Sequence, residues 1–143
     1  MLGAFGLLPG SSVDVKTMRR TFDAVLQDWD LRQTWGWDFP LMAMTAARLN
    51  QPEKAIDMLF FDSPNNRFGL AGMTPREHML ESSESGPSAQ YQRDAETYFP
   101  SNGSLLLAVG LMAAGWDGSA SPSPGFPKNG QWVVRAEGLQ PLP

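Results

Sequence analysis

Two stretches of this chain, 41–49 and 104–114, are apolar on every face of a helix, and a helix of that kind has to be covered by others. In the first, Leu41, Met42, Ala43, Met44, Ala46, Ala47 and Leu49 leave no polar stripe. The second, Ser104 to Ala114, is rich in Ala and Gly, and such small residues let neighbouring helices come close. The segments before and after 41–49 are one-sided instead. Asp14 can cap a helix whose Val15, Met18, Phe22, Val25, Leu26 and Trp29 step by three and four onto one face. Pro40 fits the first turn of the buried helix, and Pro52 starts a third with Ala55, Ile56, Leu59 and Phe60 as its packed face. A one-sided helix, a buried one and a second one-sided one predict a mainly α chain of nested antiparallel layers.

At 143 residues and 42% hydrophobic the chain has the size and content of one domain with a real core. Eleven basic against fifteen acidic residues give a net charge of −4 and no basic stripe for a phosphate backbone, which argues against a nucleic-acid partner. The absence of Cys excludes disulfides, thiolate zinc sites, iron–sulfur ligation and a cysteine nucleophile. A single His, His78, excludes a multi-histidine metal cage and argues against a serine–histidine triad. No metal or cofactor is implied, and no glycine-rich phosphate loop or dinucleotide fingerprint is present. The longest apolar run, Leu105 to Trp116, is about half of the roughly twenty residues a membrane span needs, so a soluble chain without a membrane partner is expected.

Residues 2–10 read as the end of a packed helix running into a turn, and without a basic n-region they do not read as a signal peptide. Between Asp62 and Pro100 the periodicity fails. Thr74-Pro75-Arg76-Glu77 has capping-box spacing and predicts a short helix through Leu80. His78, Glu77, Glu81 and Glu84 read as solvated loop charge. Ser119 to Gly130 is dense in Ser, Pro and Gly and reads as a linker, and Gln131 to Glu137 has the content of one strand. One strand needs partners from elsewhere. The expected organisation is a helical part at 1–118, a linker at 119–130 and a β-segment at 131–143.

The candidate site is Thr34-Trp35-Gly36-Trp37-Asp38 at the mouth of the buried helix. Two indoles beside a carboxylate supply stacking faces and a hydrogen-bond acceptor, which a sugar ring asks of a site. Core packing and complementation of the helix dipole by Asp38 explain the same residues. Tyr98-Phe99-Pro100-Ser101-Asn102-Gly103-Ser104 brings aromatics and an amide to the start of the second buried helix, where Ser101 or Asn102 can cap it. Asn102-Gly103-Ser104 also fits the N-glycosylation pattern, which a buried helix start would exclude sterically.

Together, Thr34-Trp35-Gly36-Trp37-Asp38, Met44-Thr45-Ala46-Ala47-Arg48-Leu49, Glu53-Lys54-Ala55, Tyr98 to Val109, Ala113-Ala114-Gly115-Trp116-Asp117-Gly118 and Pro124 to Leu139 resemble the C-terminal portion of six-hairpin glycosidases. The branch they resemble is the alpha-L-fucosidase-like one, glycoside hydrolase family ninety-five, with relatives around family sixty-five. The resemblance implies part of an (α/α)6 toroid, about two of its six hairpins, followed by a short C-terminal β-segment. It implies a complete enzyme that hydrolyses an α-glycosidic bond with a carboxylate pair mostly outside this chain. Trp35, Trp37 and Asn102 match cleft-lining positions and are expected to contact sugar. Where the fucosidase-like pattern has Asp-Gly-Asn, this chain reads Pro100-Ser101-Asn102, so a carboxylate is missing there. Asp38 is then the candidate general base or hydroxyl-binding carboxylate. The other class is a non-catalytic helical module that binds sugar or a partner protein. A carbohydrate substrate and self-association through uncovered apolar helices are the expected interactions.

Overall fold

The computed structural model describes residues 1–80, 90–119 and 121–143. In order along the chain come α1 (Gly3–Gly6), α2 (Val15–Asp28), α3 (Asp38–Arg48), α4 (Pro52–Leu59), a 3-10 turn (Pro64–Asn66), β1 (Arg76–Met79), β2 (Tyr91–Ala95) and α5 (Phe99–Ala114). The fold is mainly helical with one small two-stranded antiparallel sheet. Among the described residues no helix is long and apolar enough to cross a membrane.

The first hairpin forms as its sequence dictates. The Asp14 carboxylate accepts the Thr17 backbone N–H at 2.8 Å, which satisfies one of the orphan donors at the start of α2. Met18, Phe22 and Val25 then point inward from one face. α3 lies at the centre, with α1, α2, α4 and α5 packed against it, and Phe39, Met42, Ala43, Met44, Ala46 and Ala47 are fully buried. Phe39 stacks on Phe61 at 5.5 Å beyond the end of α4. The end of α3 is tied down by two arginines. Arg19 donates from α2 to the Leu49 carbonyl at 2.7 Å, and Arg48 donates to the Leu8 and Pro9 carbonyls at 2.8 and 2.7 Å. Burial lowers the pKa of Arg48, partly offset by Asp117. Gly6 lets α1 sit directly on α3, because a Cβ there would overlap the Thr45 hydroxyl.

Three expectations are corrected. No helix runs from Thr74 to Leu80: residues 76–79 are β1, paired with β2 in the register Glu77↔Arg93, His78↔Gln92 and Met79↔Tyr91. The capping box loses because the buried Asn65 side chain supplies a competing pairing. Its Oδ1 accepts the Glu77 N–H at 2.7 Å and its Nδ2 donates to the Glu77 carbonyl at 2.9 Å, which holds that backbone extended. The second apolar helix starts at Phe99, so Ser101 and Asn102 lie inside its first turn and Tyr98 takes the N-cap position without a side-chain bond. Residues 131–137 form no strand. No strand lies beside them among the described residues; Val133 is exposed, and Trp132 folds onto Phe126 at 5.4 Å. The C-terminus instead makes one parallel bridge, Trp116↔Leu142. The 119–130 stretch packs Phe126 into the core, with the Gly125 N–H on the Met112 carbonyl at 3.0 Å.

Candidate functional site

The turn before α3 is built around Gly36. A Cβ there would overlap both the Ser101 hydroxyl of α5 and the Asn65 backbone carbonyl, so only glycine lets these elements meet. Asn65 also donates to the Thr34 carbonyl at 3.1 Å, which links this turn to β1 through one buried side chain. Trp35 and Trp37, on either side of Gly36, are therefore pushed outward and are 45% and 40% exposed.

Trp35 and Asp38 line an open recess of about 430 Å³ together with Trp29, Asp30, Gln33 and Thr34. The Tyr98 ring lies 5.4 Å from Trp35 at a tilted angle, and the Arg76 guanidinium sits over Trp35 at 4.1 Å. The second contact is cation–π in kind and fixes the ring. The Asp38 carboxyl is half-buried, and that burial raises its pKa above the ordinary aspartate value while the Trp35 backbone N–H pulls it down. Tyr98 is raised by burial and by the Asp38 charge, with Arg76 acting the other way. Asp38 is also the acidic residue of the first turn of α3, where the dipole favours negative charge.

The other two expected sugar contacts lie outside the recess. Trp37 uses its carbonyl to accept the Ser104 hydroxyl at 2.9 Å. Asn102 donates to the Gly72 carbonyl at 2.6 Å, which fastens the turn around residues 69–73 to the start of α5. Asp30, Tyr98 and Arg76 join the site through the fold. Arg76 lies in the segment expected as a helix and Asp30 carries no local signal of the site; Tyr98 stands in the aromatic run Tyr98-Phe99. Both Asp30 oxygens are engaged, one with the Arg32 N–H at 3.1 Å and one with the Gln33 side chain at 2.6 Å. His78 stands apart from the recess and pairs with Asp94 across the hairpin at 2.8 Å; Glu81 and Glu84 lie outside the described residues. Among the described residues no group of three or more acidic or histidine side chains is placed to hold a metal ion.

No family model, curated protein or solved structure matches this chain. The recess offers one stacking face, one half-buried carboxyl whose pKa burial raises, and a cation held against the ring.

Proposed function

We propose that this chain is the C-terminal portion of a carbohydrate-active protein of the six-hairpin glycosidase kind, whose complete form hydrolyses an α-glycosidic bond. In this reading α3 and α5 are inner helices of an (α/α)6 toroid, α2 and α4 outer ones, and the recess belongs to the sugar cleft. The observation that carries it is the exposed Trp35 face beside the half-buried Asp38 carboxyl at the start of a buried helix. A pyranose presents an apolar face flanked by hydroxyls, so a ring to stack on and an acceptor at its edge recognise it. Asp38 binds a hydroxyl or acts as general base, a role for which burial that moves a carboxyl toward neutral pH is suited. Trp37 and Asn102 lie outside the recess and in this reading contact sugar elsewhere in the cleft of the complete protein.

A second reading, a non-catalytic sugar-binding module, is favoured by one observation. Hydrolysis normally needs two carboxyl groups flanking the bond, and the second carboxylate in the recess, Asp30, is occupied with its own turn.

Tryptophan fluorescence of the chain, titrated with α-linked glucose and fucose di- and trisaccharides, tests both readings. A saturable change is expected, lost in Trp35→Ala and weakened in Asp38→Asn. No response to any of these sugars would overturn both. In the complete protein Asp38→Asn is expected to lower turnover by about 10²–10⁴ if Asp38 moves a proton; unchanged turnover leaves only the binding role.

A further inference from the structure

Apart from the Trp35 recess the fold holds a cleft of about 680 Å³ with mixed charged and apolar lining, between the turn at 69–75 and the β1–β2 hairpin. That volume lies within the roughly 300–1,000 Å³ usual for small-ligand sites. Three guanidinium groups, from Arg32, Arg67 and Arg93, face three carboxylates, from Asp62, Glu77 and Glu96. The pairing among them is unequal. Arg67 is held by Asp62 at 2.7 Å. Arg93 takes two carboxylates, Glu77 at 2.7 Å and Glu96 at 2.9 Å. Arg32 is left with no acidic partner among the described residues. Its backbone is nevertheless fixed, because its N–H is held by Asp30 and its carbonyl accepts the Ser63 hydroxyl at 3.2 Å.

We propose that this cleft binds a sugar unit bearing one carboxylate, a uronate, with Arg32 as the group that recognises its charge. The inference rests on the carbohydrate reading above and narrows its substrate class. A guanidinium presents a planar fork that matches a carboxylate with two parallel hydrogen bonds. The chain carries a net charge of −4, so general electrostatic attraction does not gather anions and the affinity has to be built locally. A monoanion fits better than a dianion, since the three guanidinium groups and three carboxylates of the cleft balance and Arg32 is the one guanidinium there without an acidic partner among the described residues. Those carboxylates, held in place by Arg67 and Arg93, keep free lone pairs to accept sugar hydroxyls. The Tyr91 ring and Pro75 supply apolar surface to the same cleft. The cleft adjoins the recess: Arg32 precedes Thr34 by two residues, about 7 Å of chain, and Glu77 follows the Arg76 that covers Trp35.

The test is an NMR amide-shift titration of the chain with the methyl α-glycosides of glucuronate and galacturonate. Their neutral methyl esters and inorganic phosphate are the controls, all at one ionic strength. At least one uronate is expected to bind ten-fold or more tightly than its ester, with shifts in 69–75 and β1. Arg32→Gln is expected to remove that preference and Arg32→Lys to keep part of it; Arg32 is exposed, so both variants keep the fold, as circular dichroism would verify. Equal affinity for acid and ester, a preference that survives in Arg32→Gln, or phosphate binding as tightly as the uronate would each overturn the proposal. If neutral sugars change the Trp35 fluorescence while the uronates show no preference, this inference fails and the carbohydrate reading stands. If neither sugar class binds, both fail.

Discussion

α5 is the more uniformly apolar of the two helices, yet α3 is the one that the fold encloses. Every residue of α3 from Met42 to Ala47 is buried, whereas α5 buries only Ser101, Ala108, Leu111 and Met112 and leaves Phe99 65% and Leu106 74% exposed. The cause is neighbours. α3 packs against four helices, while α5 makes its main helix contact with α3, and the Gly125-Phe126 turn covers its later part. An apolar circumference states that a helix tolerates burial on all sides. It does not supply the partners. The uncovered side of α5 is also unusually smooth, since Gly103 and Gly110 have open space where a Cβ would stand.

Substitutions in the two helices and at their joint test this contrast. Phe39→Ala in α3 removes a fully buried ring and its stack on Phe61, and is expected to cost about 3–5 kcal/mol, read as a fall in the urea midpoint. A loss under ~1 kcal/mol would mean that α3 is not the centre of the core. Gly36→Ala comes next, because its Cβ forces Ser101 and Asn65 apart at the joint between the two helices; overpacking of this kind costs about 1–3 kcal/mol. Its second readout is loss of the Trp35 fluorescence response, as the recess opens from beneath.

Asp38→Asn has a smaller effect whose sign depends on pH. The folded-state pKa is raised, so the folded chain holds the proton more tightly than the unfolded one. Asp38 thus favours the folded state most at low pH, and that contribution is lost as pH rises from the ordinary aspartate value through the raised one. The melting temperature of Asp38→Asn relative to the parent should accordingly climb between pH 4 and pH 7. A flat difference would show that burial does not perturb this carboxyl. Leu106→Ser stands at the other end of the scale, expected within about ±0.5 kcal/mol in stability. Its readout is association: the parent is expected to sediment as a concentration-dependent oligomer through the α5 face, and Leu106→Ser to shift it toward monomer. A parent that stays monomeric at high concentration would overturn the expected self-association.

Legibility in the sequence followed the range of the interactions involved. The start of α2 was readable, since the Asp14 cap and the inward-stepping Met18, Phe22 and Val25 lie within a few positions of one another, although Val15 and Trp29 of the same expected face are exposed. Pro52 marked the start of α4 for the same reason. β1 was hidden because its decisive partner, Asn65, is twelve residues away and overrides a capping pattern that is locally sound. The charge complementarity of Glu77 and Arg93, sixteen residues apart, was the signal that a search for paired strands could have used. Trp35 and Asp38 were visible as a site because they are neighbours in the chain. Tyr98 showed only as part of the aromatic run before α5, and Arg76 and the Arg32 cleft did not show, because nothing local brings them together.

Capping, propensity and periodicity act over one or two turns, so the residues alone settle where α2 and α4 begin and which helices can be buried. The tertiary fold is what leaves α3 enclosed and α5 half open. It alone set residues 76–79 as a strand and left 131–137 without one, and it alone laid Arg76 on Trp35. Each of those outcomes depends on what distant chain is present to cover a face or accept a hydrogen bond. A hydrophobic or polar group gains from burial only when a partner arrives to complete it.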